Sequence, residues 1–342
     1  MLKYYLYRHF DAEAIPWSPH NAASEVTVHD PYFAGVFRSM EHHLSSDGLT
    51  IYLTWRVDQL PSYGDDVVAV VLADEWCRTP RYANRVRAIF KCYGVALPPP
   101  PLSRQRSFYR NTLSVLQWIR TQIYRAPNEA QGLLEHLLHR ERDAPIYDIP
   151  LGYANQDDLP LRPIHERGTD IYFAGGFINP NEPWWSPRRW LKTPKQVSRE
   201  HMVNVLRSMD GRFDSINVNL SLTQGPPSSH DAQMYSKSMM DTKICVVPRG
   251  SSLETFRFFE SLRYGCITIH EELPDRWFYN EAPTIEVENW SALENIVPQL
   301  LSDPNQLRTQ HERSLAWWKD VCSEAAVGRY MAQKLNNLTG PK

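Results

Sequence analysis

Residues 244–269, ICVVPRGSSLETFRFFESLRYGCITI, spell a buried strand, a Gly/Ser turn, a helix and a second buried strand. A helical crossover between two apolar strands is a βαβ unit, and such a unit commits the chain to a parallel sheet. The continuous apolar run Val67–Ala73 reads the same way, as a parallel strand covered on both faces. The fold class expected is α/β.

The helix within 244–269 is apolar nearly all round, through Leu253, Phe256, Phe258, Phe259 and Leu262. It also carries Arg257 and Glu260, three positions apart and so on one face. Buried charges are unfavourable unless paired or liganded. The pair is therefore either a structural ion pair inside an ordinary βαβ unit or a polar contact for a ligand. Gly250-Ser251-Ser252 lies at the carboxyl end of the first strand, where open α/β sheets bind ligands. Ser251 and Glu254 have capping-box spacing, which predicts a helix beginning there. A helix start suits a phosphate, and Arg257 one turn in could reach the same anion with two donors. Glu260 could accept from ribose or sugar hydroxyls. Gly265 stands where a left-handed C-cap is required.

Pro248-Arg249-Gly250, Phe256-Arg257 with Glu260, and Gly265-Cys266-Ile267 resemble the C-terminal signature of exostosin-like glycosyltransferases. The likeness is specific over about 26 residues and loose over the rest of the C-terminal half. Two positions depart from the pattern. Ile267-Thr268-Ile269 replaces the usual Ile-Pro-Val, and Thr255 stands where a Ser usually precedes the Phe-Arg pair. The N-terminal half does not resemble exostosin. The resemblance implies a GT-B fold, two Rossmann-like domains facing each other across a cleft, with a C-terminal helix crossing back to the first. It implies transfer from a nucleotide sugar, most simply UDP-linked, with inversion at the anomeric carbon. The donor site would comprise Arg249, Gly250, Ser251, Ser252, Phe256, Arg257 and Glu260. A GT-B site neutralises the departing diphosphate with a helix dipole and basic groups, so neither metal nor cofactor is expected.

The chain has 342 residues, enough for two domains. A formal charge of −2, with no basic tail, argues against nucleic acid as a main partner. Cys77, Cys92, Cys245, Cys266 and Cys322 are widely spaced and contain no C-x-x-C, so neither a disulfide framework nor a zinc site is indicated. The N-terminus lacks a signal-peptide core, and no apolar stretch approaches about 18 residues. The expectation is a cytoplasmic protein without a transmembrane segment. Peripheral membrane contact through exposed Trp or Arg is permitted, although no amphipathic helix compels it.

Strands are expected at Lys3–Tyr7, Thr50–Thr54, Val67–Ala73 and Ile146–Leu151, with Val86–Cys92 readable as strand or helix. Phe108–Tyr124 and Ala130–Arg140 have helical spacing. The polar, Pro-rich stretch 155–167 reads as a linker. Asp170–Ala174 and Ile216–Leu220 read as strands, and Ser198–Met209 and Asp231–Met240 as helices. Thr284–Val287 adds a further strand. Trp290–Leu301 and Asn305–Leu338 are helical, with a break near Ser323. This gives residues 1–155 as an acceptor domain, 156–310 as a nucleotide-sugar domain and 311–342 as helices returning to the first domain.

Gly175-Gly176 follows the first strand of the second domain and allows close backbone approach to a phosphate or sugar. It is not a G-x-G-x-x-G fingerprint. Arg199, at the start of the next helix, either faces the diphosphate or is solvated. Pro183 to Trp190 reads as a cleft-lining loop or a packed surface loop. For the general base, Glu75 stands first and Asp74 second, after the strand Val67–Ala73. His9 oriented by Asp11 is the alternative, with His29-Asp30 a weaker version. Each of these also has a bland reading: Asp74 as a turn cap, Glu75 and His9 as solvated residues. Asp65-Asp66 and Asp157-Asp158 read as solvated loop pairs, with Asp65-Asp66 ahead of its strand. The acceptor could be a carbohydrate, a glycolipid or a small molecule. Rival functions are a UDP-sugar epimerase, a non-catalytic sugar-nucleotide-binding protein and a protein-binding scaffold.

Overall fold

The apolar runs of the sequence form two separate, mostly parallel sheets in a computed structural model. It describes residues 2–21, 30–95, 99–100, 108–139, 144–154, 158–176, 193–212, 216–221 and 229–338. Contacts group Met1–Pro99, Trp118–Ala154 and Val321–Lys342 into one unit, and Pro100–Gln117 with Asn155–Asp320 into another. Residues 311–320 thus group with the second unit and 321–342 with the first.

In the first unit the strands are β1 (Lys3–Tyr7), β2 (Ile15–Trp17), β3 (Thr50–Thr54), β4 (Gly64–Val71), β5 (Val86–Lys91) and β6 (Ile146–Asp148). Their order is β2-β1-β3-β4-β5-β6. Only the short β2 runs antiparallel to its neighbour. All of Val67 to Val71 is buried, as its unbroken apolar run requires. Val67, Ala69, Val71, Tyr52, Ile89 and Tyr82 close one core face of this sheet. Asp65 and Asp66 are the second and third residues of β4, so the expectation that they precede the strand is corrected.

Two helices of this unit differ from expectation. Helix α1 (Asp30–His43) was not read from the sequence; its Tyr32, Phe33, Val36, Phe37 and Met40 are fully buried. Helix α2 (Phe108–His139) is continuous where two helices were expected. It runs through Pro127, and the Asn128 side chain anchors it by donating to the Thr79 carbonyl and accepting from Arg81.

The second unit holds β7 (Thr169–Ala174), β8 (Val218–Ser221), β9 (Thr242–Val247), β10 (Ile267–His270) and β11 (Ile285–Glu286). The order is β11-β10-β9-β7-β8, parallel throughout. Its helices are α3 (Pro194–Arg212), α4 (Ser229–Met240), α5 (Phe256–Arg263), α6 (Leu293–Ser302) and α7 (Pro304–Trp317). Ile171, Phe173, Ile244, Val246, Ile267 and Ile269 alternate into a core closed by Met202, Leu206, Trp290 and Val297. Under the sheet, buried Arg167 donates to the carbonyls of Arg162, Thr242 and Tyr264 and ties the entering chain to β9.

A π-turn, Trp318–Cys322, follows α7. Ser323 then caps α8 (Glu324–Asn336), its hydroxyl accepting from the Ala326 amide at 3.3 Å, so the break expected near Ser323 is present. Helix α8 packs along α1 at very short range. A Cβ on Gly328 would stand 2.4 Å from the Val36 carbonyl oxygen, which only glycine avoids.

Candidate anion-binding site at the end of β7

Strand β7 ends at Ala174 and turns through Gly175, whose φ is +152°. Two arginines from different helices close on that turn. Arg257, on α5, donates to the Ala174 carbonyl and lies 4.8 Å over the Phe173 ring. Arg199, on α3, donates from Nη1 to the Gly176 carbonyl at 2.7 Å and from Nε to the Arg249 carbonyl at 3.3 Å. A Cβ on Gly175 would meet Arg199 Nη1 and Arg257 Nη2, each at 3.3 Å. Backbone conformation and space thus both select glycine here.

The electrostatics are those of crowded like charges. Burial, and then the neighbouring Arg257, pull the Arg199 pKa down to about 9, with Glu271 opposing them. Burial also works against the charge on Arg257, but Tyr235, Cys245 and Glu260 around it hold its pKa above the usual arginine range. The Arg257 Nε is buried without a hydrogen-bond partner. Glu260, 5% exposed, accepts from the Tyr235 hydroxyl at 2.6 Å. Arg257 thus reaches the end of β7 while sharing Tyr235, on α4, with Glu260.

The loop 248–255 corrects one expectation. Helix α5 begins at Phe256 with Thr255 as N-cap, and no side chain caps it. Ser251 and Glu254 do not form a capping box. Ser251 is exposed, and Ser252 Oγ accepts from the Glu254 amide at 3.4 Å. Buried Glu254 pairs with Arg276 at 3.0 Å and accepts from Tyr279 at 3.1 Å. Gly250 opens this loop and Phe256 is half-buried at its end. Arg249 donates to Gln117 Oε1 at 2.6 Å. Gly265 has φ +67° just past α5, and its amide donates to the Leu262 carbonyl, the C-cap that its position predicted.

Arg199 is 7% exposed, so the reading of it as a solvated first-turn residue is corrected. The helix starts four residues earlier than expected. Thr193 and Gln196 form a capping box, with Pro194 as the first helical residue. Sequence reasoning also missed Glu271. It lies just past β10, 8% exposed, and accepts from Ser198 Oγ at 2.5 Å and from the Arg249 amide at 3.2 Å. Its place at the carboxyl end of a parallel strand was the available signal.

The base candidates lie in the first unit. Asp74, at φ +98° and 6% exposed, is paired with Arg78 at 2.7 Å and with Lys91 at 3.1 Å. Lys91 is fully buried and also donates to the Gly94 carbonyl at 2.7 Å. Asp74 is therefore held in a structural ion cluster, which corrects its reading as a second candidate base. Glu75 is exposed. His9 is exposed, but Asp11 does not orient it: the Asp11 carboxylate accepts from Arg8 Nε and its amide, and Arg8 holds the Asp11 pKa below the usual range. His29 and residues 183–190 lie outside the described residues. The five cysteines are buried, and none is in a disulfide. Among the described residues no cluster of three or more His, Cys, Asp or Glu could hold a metal ion, and no helix is long and apolar enough to cross a membrane.

No family model matches the chain. A segment is 30% identical over 95 residues to the exostosin-1 homologue of Caenorhabditis elegans, covering 25% of this chain and 24% of that protein. Exostosin-1 of Bos taurus is 34% identical over 80 residues, covering 23% of this chain and 10% of its own length. The chain thus spans a quarter or less of the curated relatives it matches. Among solved structures, WaaG, a glycosyltransferase involved in lipopolysaccharide biosynthesis, aligns over 98% of this chain and 99% of its own, at 8% identity and TM-score 0.44. A sucrose-phosphate synthase from Thermosynechococcus elongatus aligns over 90% and 93%, at 11% identity and TM-score 0.42. Likenesses this loose carry no argument. What stands is a chain of two Rossmann-like α/β units, about a quarter of which is similar to exostosin-1.

Proposed function

We propose that the protein is a glycosyltransferase of GT-B type, moving a sugar from a nucleotide-sugar donor to an acceptor hydroxyl. The observation that carries this reading is the convergence of Arg199 and Arg257 on Gly175 at the carboxyl end of β7. A buried and a half-buried guanidinium group that repel one another lose that repulsion when a diphosphate sits between their donors. The same charge arrangement stabilises the diphosphate as the glycosidic bond to the leaving group breaks, which is where the largest catalytic effect is expected. Glu260, fixed by Tyr235, is the acceptor for donor hydroxyls. The similarity to exostosin-1 supports the reading and suggests a UDP-linked donor and inversion. The acceptor is assigned to the first unit, with exposed Glu75 as general base.

Calorimetric titration with UDP, UDP-sugars, ADP and GDP tests the reading. The expectation is UDP binding that Arg257→Ala weakens by roughly 10- to 100-fold, the value of charge-assisted hydrogen bonds, in a protein that remains folded. Binding of UDP unaltered by Arg257→Ala overturns it. Incubation of UDP-sugars without acceptor separates the epimerase alternative: isomerised sugar nucleotide would replace transfer.

A further inference from the structure

Glu271 stands just past β10, and its carbonyl accepts from the His270 ring at 2.6 Å. Its side chain is buried, and one carboxylate oxygen, Oε2, accepts two hydrogen bonds. One comes from Ser198 Oγ at 2.5 Å and the other from the Arg249 amide at 3.2 Å. Ser198 is itself buried, and its oxygen accepts from the Trp290 indole at 3.0 Å, which leaves the hydroxyl proton for Glu271. Both tethers lead to Arg199. Ser198 precedes it on α3, and the Arg249 carbonyl accepts from Arg199 Nε at 3.3 Å. The other side of the guanidinium is held by the Gly176 carbonyl at 2.7 Å. A single carboxylate oxygen therefore ties the turn of α3 that carries Arg199 to the residue whose carbonyl the guanidinium grips.

Placement matters here more than attraction. A carboxylate anywhere near Arg199 would favour its charge, but a guanidinium serves a diphosphate only where its N–H groups reach the phosphate oxygens. A misplacement of about 1 Å is enough to lose much of such an interaction. The bond from a serine hydroxyl to a carboxylate is charge-assisted and short, and so holds its two ends closely. We propose that Glu271 is a positioning residue of the donor site: through Ser198 and Arg249 it holds Arg199 where the guanidinium meets the donor diphosphate. The inference rests on the reading of the β7 end as a sugar-nucleotide site and adds to it a residue that acts through another.

Glu271→Gln and Glu271→Ala test it, with UDP affinity measured by calorimetry and uridine affinity by ligand-observed NMR at neutral pH. The two variants carry the same charge, so the comparison between them isolates the hydrogen bonds. Gln keeps an oxygen for Ser198 and Arg249, and Ala keeps none. Glu271→Ala is expected to bind UDP roughly ten-fold more weakly than Glu271→Gln. Uridine, which has no diphosphate, is expected to bind both alike. Ser198→Ala removes one tether and leaves the carboxylate in place. It is expected to weaken UDP about three-fold relative to wild type, with uridine unchanged. Equal UDP affinity in the two Glu271 variants overturns the inference. So does a loss of uridine affinity that matches the loss for UDP, the mark of a purely structural role. Should Glu271→Ala lose its cooperative melting transition, Ser198→Ala decides, and UDP affinity that it leaves unaltered overturns the inference. Wild-type protein that binds no UDP overturns the donor-site reading itself, and the inference with it.

Discussion

The carboxyl ends of the two sheets solve the same electrostatic problem in opposite ways. Beyond β4 and β5, two cations, Arg78 and Lys91, share the buried carboxylate of Asp74, and the cluster is complete in itself. Beyond β7, two cations converge on a glycine turn, and burial first, then the neighbouring Arg257, lower the Arg199 pKa to about 9. The first arrangement is closed and stabilising. In the second, Glu271 acts on Arg199 and Glu260 on Arg257, and we propose that a bound diphosphate completes the neutralisation. Burial alone does not separate a structural charge from a binding one.

Several substitutions would break or sharpen this contrast. The largest effect is expected from Asp74→Asn, which strands fully buried Lys91 without its carboxylate. The loss should be about 3–5 kcal/mol by urea denaturation, while UDP affinity of the folded fraction stays unchanged. A drop in UDP affinity would place Asp74 in the binding machinery and erase the contrast. Arg257→Ala should do the reverse, with affinity reduced roughly 10- to 100-fold and little change in the denaturation midpoint. If it unfolds the protein instead, the β7 end is as structural as the β4 end.

Proton linkage gives a finer test. Free Arg199 loses its proton near pH 9, whereas a bound diphosphate keeps it charged. Titration with UDP at pH 9 in buffers of differing ionisation enthalpy should therefore show proton uptake, absent at pH 7 and absent in Arg199→Ala. For the unliganded protein the sign also follows. The folded pKa lies below the unfolded value, so the unfolded chain binds more protons between about pH 9 and 12, and Arg199 favours folding increasingly as pH rises through that window. The smallest effect is expected from Tyr235→Phe, which removes one hydrogen bond to buried Glu260. It should lower stability by about 1–2 kcal/mol and shift KM for the donor more than kcat, as steady-state kinetics would show.

The strands were the legible part of the fold, because Val67–Val71, Ile244–Val247 and Ile267–Ile269 are buried on both faces and their apolar runs admit little else. Helix starts were less so. Ser251 and Glu254 have capping spacing, yet Glu254 serves Arg276, a partner 22 positions away that no local pattern reveals. The true box at Thr193 and Gln196 was present in the sequence, and overlooking it put Arg199 on the wrong turn. Arg257 and Glu260 were visible as a pair, but the contacts of Arg257 with Ala174 and of both residues with Tyr235 depend on β7 and α4 packing beside α5.

The grip of Gly328 on the backbone of α1 has a temporal consequence. The first unit takes α8 from residues that follow every residue of the second unit. During synthesis, β7 to α7 can therefore reach their native arrangement while the α1 face of Gly35, Val36, Ser39 and Met40 still lacks its cover. The amino-terminal half is sealed only once residues 324–336 are free to pack on α1.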